Sequence, residues 1–374
     1  MSAIRRLSRQ GVSVWLDDLG RDRLTSGDLA RLVGDGVCGV TTNPSIFAAA
    51  VSKGTAYAPQ LATLAGIPPE QALHALMVED VRNACDVLRG AFEASGSVDG
   101  RVSLEVDPRL SFDTEATIAA ARRIWGDVDR PNVMVKIPAT QAGLPAITET
   151  LASGISVNVT LIFGIDRYLE VQSAWLAGLE AARASGHDLA SIGSVASFFV
   201  SRIDTAVDTQ LDALAASQSL GDDQHRVLRG RAALANARNA YRRYRQLLAD
   251  PRWLALESVG AQPQRPLWAS TSAKDPSFAP TRYVDELVAP QTVNTMPSAT
   301  LDAVATSLSG WPVAIGLTAA DADSDASLFA ELAGVGIGYE QVVNDLEEAG
   351  VAAFIAAWNS LLQLVEVAQK AGPD

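Results

Sequence analysis

The sequence predicts an α/β protein in which eight parallel strands close into a TIM (β/α)8 barrel, with additional helices after strand six and at the C-terminus. Eight short apolar runs alternate with helical patterns, which is typical of parallel strands joined by crossover helices. Without the helical regions 205–262 and 309–374, the chain has the length of a typical barrel, about 250 residues. An open doubly wound sheet is the competing arrangement. We predict a single domain over 1–374, with 205–262 as a helical insertion and 309–374 as a C-terminal helical extension.

The eight predicted strands are runs of branched and apolar residues, several of which end at a proline. They cover 12–17, 37–43, 101–107, 132–138, 155–163, 192–199, 266–270 and 291–296. Apolar residues at helical spacing predict the helices between them, the first of which Thr25 or Ser26 would cap. A long helix over about 68–92 follows polar linking residues, and the last helix covers about 339–370.

The composition excludes several classes of protein. With 30 basic and 43 acidic residues the net charge is −13, so we expect no non-specific binding of nucleic acid or of an anionic membrane. The two cysteines, Cys38 and Cys85, predict a reducing compartment, and we expect a cytoplasmic protein. The start of the chain lacks the apolar core of a signal peptide, and no uninterrupted run approaches the roughly 18 apolar residues of a membrane span.

Lys136 lies inside the apolar run of the fourth predicted strand. A lysine is almost never fully buried without a partner or a purpose. Desolvation disfavours the charged ammonium, and a neutral amine in an apolar setting is what a Schiff-base nucleophile needs. The alternative is a strand-end lysine whose ammonium reaches solvent. The strand by itself leaves both interpretations open.

The other predicted strands also carry polar residues toward their C-terminal ends, where barrels place their active sites. These residues are Asp17, Thr41, Asn43, Glu105, Asp107, Asn158, Thr160, Ser197, Arg202, Ser270 and Lys274. Asn43 and Asp107 each precede a proline, so both also fit a turn. Glu105 has apolar neighbours, and a lone carboxylate among them is costly. If the barrel is right, a lysine, carboxylates and amides meet at one barrel mouth.

Several kinds of chemistry have no support in the sequence. The three histidines show no paired spacing, so neither a zinc site nor a Ser-His-Asp triad is expected. Gly34, Gly36 and Gly39 have the spacing of a dinucleotide-binding loop, but they follow a predicted helix and open a strand, which excludes that motif. Carbonyl chemistry through an amine remains, with no metal and no cofactor.

Five motifs resemble those of the transaldolase family and occur in the same order. They are GVTTNPS at 39–45, VSLEVD at 102–107, VKIPAT at 135–140, VNVTL at 157–161 and TVNTMP at 292–297. The resemblance covers about residues 12–305, and the length is similar to the longer bacterial branch. It implies a TIM-barrel class I aldolase of the non-oxidative pentose phosphate pathway. Such an enzyme transfers a dihydroxyacetone unit from sedoheptulose 7-phosphate to glyceraldehyde 3-phosphate, giving erythrose 4-phosphate and fructose 6-phosphate.

The resemblance also implies the catalytic roles. Lys136 matches the Schiff-base lysine. Asp17 matches the carboxylate that takes the hydroxyl proton when the carbon–carbon bond breaks and returns it on addition. Glu105 matches the residue that acts through a water in carbinolamine dehydration, and Thr160 matches its partner in holding that water.

The substrate ligands are implied in the same way. Asn43 and Asn158 match the amides that hold the hydroxyls of the dihydroxyacetone unit, and Thr41 and Ser197 match lining residues.

For the substrate phosphate, Arg202 and Ser270 match family ligands. The family commonly has an arginine two residues after this serine, where the present chain has Ser272. We infer that Lys274 replaces that arginine as a point charge without the bidentate fork.

Two alternatives stay open. A fructose-6-phosphate aldolase uses the same lysine but releases free dihydroxyacetone, and that branch tends to have shorter chains and a tyrosine where Phe199 stands. A barrel that has lost catalysis and serves as a scaffold is the other, although Lys136, Asp17 and Glu105 are all retained. The sequence does not choose between a monomer and a homodimer. The helix in 309–374 either covers the barrel mouth or forms a subunit contact.

Overall fold

A computed structural model describes residues 2–53, 55–307 and 319–371 of the chain. Within these ranges eight parallel strands form a closed barrel in chain order, which confirms the predicted TIM barrel and excludes the open doubly wound sheet. The strands are β1 (Val12–Leu16), β2 (Gly39–Val40), β3 (Arg101–Glu105), β4 (Val133–Pro138), β5 (Val157–Ile162), β6 (Ser194–Phe199), β7 (Arg265–Ala269) and β8 (Thr292–Met296). Each predicted strand overlaps the observed one.

Helices surround the barrel. In chain order they are α1 (Ala3–Arg9), α2 (Arg21–Thr25), α3 (Asp28–Asp35), α4 (Pro44–Lys53), α5 (Ala58–Thr63), α6 (Pro69–Ala94), α7 (Thr114–Val128), α8 (Gly143–Ala152), α9 (Ile165–Ala184), α10 (Ser201–Ala216), α11 (Asp222–Leu228), α12 (Ala232–Leu247), α13 (Pro251–Glu257), α14 (Arg282–Asp285), α15 (Ser298–Thr306), α16 (Ala319–Gly334) and α17 (Tyr339–Ala371).

The second strand is much shorter than predicted. Two backbone hydrogen bonds from residues that flank it join this strand to β1. Cys38 N donates to Val14 O at 2.9 Å, and Thr41 N donates to Leu16 O at 2.8 Å. Beyond Thr41 the chain turns directly into α4, whose first residue is Pro44. A proline at the first helical position lacks only an N–H that the helix would not use. The polar linker that we expected before the long helix therefore contains α4 and α5 instead.

The predicted cap of the first helix after β1 is wrong. The segment forms two helices, because α2 ends at Thr25 and α3 begins at Asp28 with Gly27 as its N-cap. Gly27 has φ +77°, a left-handed conformation that glycine adopts without steric cost, and it reverses the chain between the two helices.

The region after β6 is helical, as predicted. It consists of α10, α11, α12 and α13, and α10 begins at Ser201 because it is also the crossover helix that follows β6 directly. The C-terminal region contains α16 and α17, whereas 309–318 and 372–374 of the predicted extension lie outside the described residues. The division into one domain with an insertion and an extension stays a prediction.

The last helix, α17, lies against the barrel. It packs against α4, α6 and α10, and Val351, Leu361 and Val365 are among its buried residues. We expected no membrane span because no uninterrupted apolar run is long enough, and this helix, whose apolar residues alternate with polar ones, does not meet that criterion. Its Tyr339–Lys370 stretch is long and apolar enough to cross a membrane by length and composition, because an 18-residue window within it has a mean hydropathy of 1.6, and 33% of that window is buried in the structure. In the structure these buried residues of α17 contact the rest of the protein.

Candidate active site

The register of three neighbouring strands brings three polar side chains together. Glu105 pairs with Lys136 across β3 and β4, and Lys136 pairs with Asn158 across β4 and β5. Partners in a parallel ladder point to the same face, which here is the barrel interior. All three are buried, and Lys136 is only 5% exposed. The lysine therefore does not extend to solvent, and the snorkelling alternative is wrong.

The amine of Lys136 has close contacts on several sides. Its Nζ lies 2.9 Å from Glu105 Oε1 and donates a hydrogen bond of 2.9 Å to Thr42 O. The same nitrogen faces the ring of Phe354 on α17, 5.6 Å from the ring centroid. A buried amine next to a carboxylate has an acceptor for its proton within reach, which a lysine nucleophile requires.

Glu105 is poised between its two protonation states at neutral pH. Burial raises the pKa of its carboxyl to about 7, and the attraction of the Lys136 ammonium only partly offsets that rise. Apart from the ion pair with Lys136, neither carboxylate oxygen accepts a well-aligned hydrogen bond from any residue in the described ranges. A group with a pKa near the working pH both accepts and gives protons efficiently.

Asp17 directly follows β1 and lines the same cavity as Lys136. Its Oδ1 accepts a hydrogen bond of 2.7 Å from Thr41 Oγ1, which in turn lies 2.6 Å from Thr295 Oγ1. Because Thr41 has a single hydroxyl proton, Thr41 donates to Asp17 and accepts from Thr295. Burial raises the pKa of Asp17, and Lys136 and the bond from Thr41 oppose that rise. This network fixes the orientation of the carboxylate.

Asn158 and Thr160 extend from β5 into the barrel. Asn158 Nδ2 donates to Ser103 Oγ at 2.9 Å, and Asn158 Oδ1 accepts from Ser197 Oγ at 2.7 Å. The hydroxyl of Thr160 is buried and has no hydrogen-bond partner among the residues that the structure describes. The register of β5 shifts just beyond it, where Leu161 has φ +61°. Irregularities of this kind are common beside active sites.

A cavity of about 160 Å³ joins these groups at the C-terminal ends of the strands. Nine of the site residues that the sequence predicted line this cavity: Asp17, Thr41, Asn43, Lys136, Thr160, Ser197, Arg202, Ser270 and Lys274. Glu105 and Asn158 lie beneath this lining, with Glu105 in contact with Lys136 and Asn158 in contact with Ser197. Thr295 and Phe354 also line the cavity, and neither was predicted from the sequence. Alternate residues of β8 point into the barrel, and this pattern could have identified Thr295. Nothing in the helical pattern of α17 indicated which residue would reach the cavity.

Asn43 lies at the turn into α4 and also lines the cavity. Its side-chain oxygen accepts a hydrogen bond of 3.0 Å from Ile46 N in the first turn of α4. Asp107 is a turn former, as the alternative suggested, because its carboxylate accepts from Arg109 N at 2.9 Å.

One end of the cavity is cationic. Arg202 is half-buried over the ring of Phe199, and within the described part of the chain it forms no ion pair or hydrogen bond. Lys274 Nζ donates to Ser272 Oγ at 2.7 Å, and burial together with Arg202 lowers the pKa of Lys274. Ser270 has φ +55° and its hydroxyl lies 3.0 Å from Ser201 Oγ. Among the described residues, no carboxylate forms an ion pair with Arg202 or Lys274. Two neighbouring cations of this kind favour an anion.

Comparisons with known proteins agree with this geometry. The family described as Transaldolase/Fructose-6-phosphate aldolase matches residues 14–365. Transaldolase 1 of Streptomyces coelicolor is 56% identical over 97% of this chain and 94% of that protein. The transaldolases of Frankia alni and Thermobifida fusca are each 53% identical, over 96% and 97% of this chain and 95% and 97% of those proteins. The chain therefore belongs to the transaldolase/fructose-6-phosphate aldolase family.

Proposed function

We propose that this chain transfers a dihydroxyacetone unit from sedoheptulose 7-phosphate to glyceraldehyde 3-phosphate through a Schiff base on Lys136. Relatives more than half identical over almost the whole chain are transaldolases, which are transferases of the non-oxidative pentose phosphate pathway. The observation that carries the mechanism is the buried ion pair between Lys136 Nζ and Glu105 Oε1 at 2.9 Å.

The first step forms the imine. The proton of the Lys136 ammonium moves to Glu105, and the neutral amine attacks the ketone carbonyl of the donor to give a carbinolamine. Glu105, now protonated, acts through a water to protonate the carbinolamine hydroxyl, which leaves as water and gives the iminium ion. The buried and unpartnered hydroxyl of Thr160 supports a role in holding that water, because buried waters bridge polar groups that lack protein partners.

The second step breaks the carbon–carbon bond. Asp17 takes the proton of the donor hydroxyl, the aldose phosphate leaves as an aldehyde, and the electron pair of the broken bond moves to the iminium to form a neutral enamine. After exchange of the aldehydes, the enamine carbon attacks the acceptor and Asp17 returns the proton. The hydrogen bond from Thr41 supports this role because it holds the carboxylate in one orientation.

The remaining polar residues position the substrate. We assign the hydroxyls of the dihydroxyacetone unit to Asn43 and Thr41 at the cavity wall and to the bonded pair of Asn158 and Ser197 at its floor. A network in which each member is already oriented needs no rearrangement when substrate binds.

The phosphate occupies the cationic end, where Arg202 and Ser270 are the ligands and Lys274 replaces the family's arginine. The hydrogen bond from Lys274 to Ser272 supports this assignment, because it holds the ammonium on the same side of the cavity as Arg202. In this assignment two cations neutralise the phosphate although the whole chain has a net charge of −13.

We further propose a cytoplasmic protein that acts without a metal or another cofactor, as a monomer or homodimer, and that binds neither nucleic acid nor membrane. The acidic composition supports the exclusion of nucleic acid. The buried contacts of α17 support its role as a cover of the barrel mouth rather than as a membrane span.

A coupled assay with fructose 6-phosphate and erythrose 4-phosphate tests the function. We expect the dihydroxyacetone unit to be transferred to erythrose 4-phosphate, which gives sedoheptulose 7-phosphate. Release of free dihydroxyacetone in place of transfer would indicate a fructose-6-phosphate aldolase, and no reaction with either readout would indicate a scaffold.

A further inference from the structure

Phe354 differs from the other residues that line the catalytic cavity. Those residues come from the strands and from the segments that directly follow them, whereas Phe354 comes from the middle of α17, far beyond the last strand in sequence. Its side chain is buried at 8% exposure, and its ring faces Lys136 Nζ at 5.6 Å. An apolar ring therefore closes the cavity on the side of the nucleophile.

Specific contacts hold α17 where Phe354 reaches the cavity. At the N-terminal end of the helix, Tyr339 OH accepts from Ile165 N at 3.1 Å and donates to Asn236 Oδ1 at 2.6 Å. In the next turns, Glu347 forms an ion pair of 3.0 Å with Arg167. These contacts join α17 to α9, which follows β5, and to α12, the third helix after β6.

A glycine allows the close approach. Gly350 lies four residues before Phe354, so both are on the same face of α17. A Cβ at Gly350 would lie 3.3 Å from side-chain carbons of Leu161 and Phe163, at the end of β5. That distance is tighter than ordinary van der Waals contact, so glycine lets α17 lie against the end of β5 without displacing these side chains.

We propose that Phe354 is a specificity-determining residue that favours transfer over hydrolysis, an inference that rests on the proposed function. The enamine on Lys136 has two fates. It attacks the acceptor aldehyde, or it takes a proton on carbon to become an iminium ion, which water then hydrolyses to free dihydroxyacetone and the lysine amine. Phe354 excludes water from one side of this intermediate and offers no proton. Its ring face also favours the cationic imine that precedes the enamine.

The test compares two rates for each variant, the release of dihydroxyacetone from fructose 6-phosphate alone and the transfer to erythrose 4-phosphate. We expect Phe354→Ala to raise the ratio of release to transfer by roughly tenfold, because water reaches the intermediate. Phe354→Tyr keeps the ring and adds a hydroxyl above the intermediate, so we expect the same direction of change. This nearly isosteric variant carries the test if the alanine variant does not fold.

Trp358→Ala is the matched control. Trp358 is also a large buried residue of α17, one turn beyond Phe354, but it does not line the cavity. We expect this variant to lose thermal stability without a change in the ratio.

An unchanged ratio in both Phe354 variants, with transfer intact, would overturn the inference and leave the proposed function standing. An equal rise in Trp358→Ala would also overturn it, because general loosening of α17 would then explain the effect. A wild-type enzyme without activity in either assay would overturn both the proposed function and this inference.

Discussion

Replacement of Glu105 by glutamine removes a proton acceptor and donor without a large change of volume. In the wild type the carboxylate lies 2.9 Å from Lys136 Nζ, and burial raises its pKa to about 7. The reactive pair holds one proton between its two members, and that proton must move from the amine to Glu105 before the neutral amine can attack. Glutamine cannot accept that proton, so Glu105→Gln should slow imine formation.

General acid–base assistance of this kind contributes about 10²–10⁴-fold, or roughly 3–5 kcal/mol at about 1.4 kcal/mol per tenfold. The pH dependence follows from the raised pKa of Glu105. Above about 7 the carboxylate is ionised and can take the proton of the lysine. Below about 7 Glu105 is itself protonated, the pair carries a second proton, and the ammonium has no acceptor. The rate of imine formation should therefore fall as the pH drops below about 7.

The assay is single-turnover imine formation with fructose 6-phosphate, quenched with borohydride at a series of pH values. The wild type should show an acidic limb near neutrality, and Glu105→Gln should lack the limb and be slower at every pH. Asp107→Asn is the control, because this carboxylate lies two residues further on and forms its ion pair with Arg109 instead. A glutamine variant that keeps both the rate and the acidic limb would refute the role of Glu105.

Three further predictions follow from the site. Asp17→Ala should still form the imine but lose at least about a hundredfold in transfer, because the donor hydroxyl has no base; full transfer activity would remove Asp17 from the mechanism. Lys274→Ala should raise the KM for glyceraldehyde 3-phosphate by roughly tenfold or more without affecting unphosphorylated glyceraldehyde, since a hydrogen bond to a charged group contributes about 1.5–3 kcal/mol; Lys274→Arg should restore binding, and an equal loss with both aldehydes would contradict a phosphate contact. Thr160→Val should slow imine formation with little change in KM, and a normal rate in the same quench assay would contradict its role in holding water.

The sequence was most informative where one rule of barrel architecture applies to every strand. The alternation of strands and helices predicted the closed barrel, and the rule that sites lie at the C-terminal strand ends brought together Asp17, Lys136 and Arg202 before any coordinates. The same rule included Glu105 among the residues expected at that barrel mouth, and the ladder register then pairs it with Lys136.

The sequence was less informative where long-range packing decides. The second strand ends after two residues because α4 begins at Pro44, and the composition of that segment had suggested a linker. Phe354 could not be identified from the helical pattern of α17, because several apolar residues share its face and only the docking of the helix selects one. The turn interpretation of Asn43 is confirmed by the hydrogen bond from Ile46 N, and the residue also lines the cavity, where its role as a substrate ligand stays a prediction.

Borohydride reduction in the presence of fructose 6-phosphate tests the central claim most directly. The chain has four lysines, Lys53, Lys136, Lys274 and Lys370, so peptide mass mapping can assign the reduced adduct without ambiguity. We predict that the dihydroxyacetone adduct is found on the peptide that contains Lys136, and that Lys136→Met abolishes it. An adduct on any of the other three lysines, or an unchanged amount of adduct in the Lys136→Met variant, would contradict the assignment of the nucleophile.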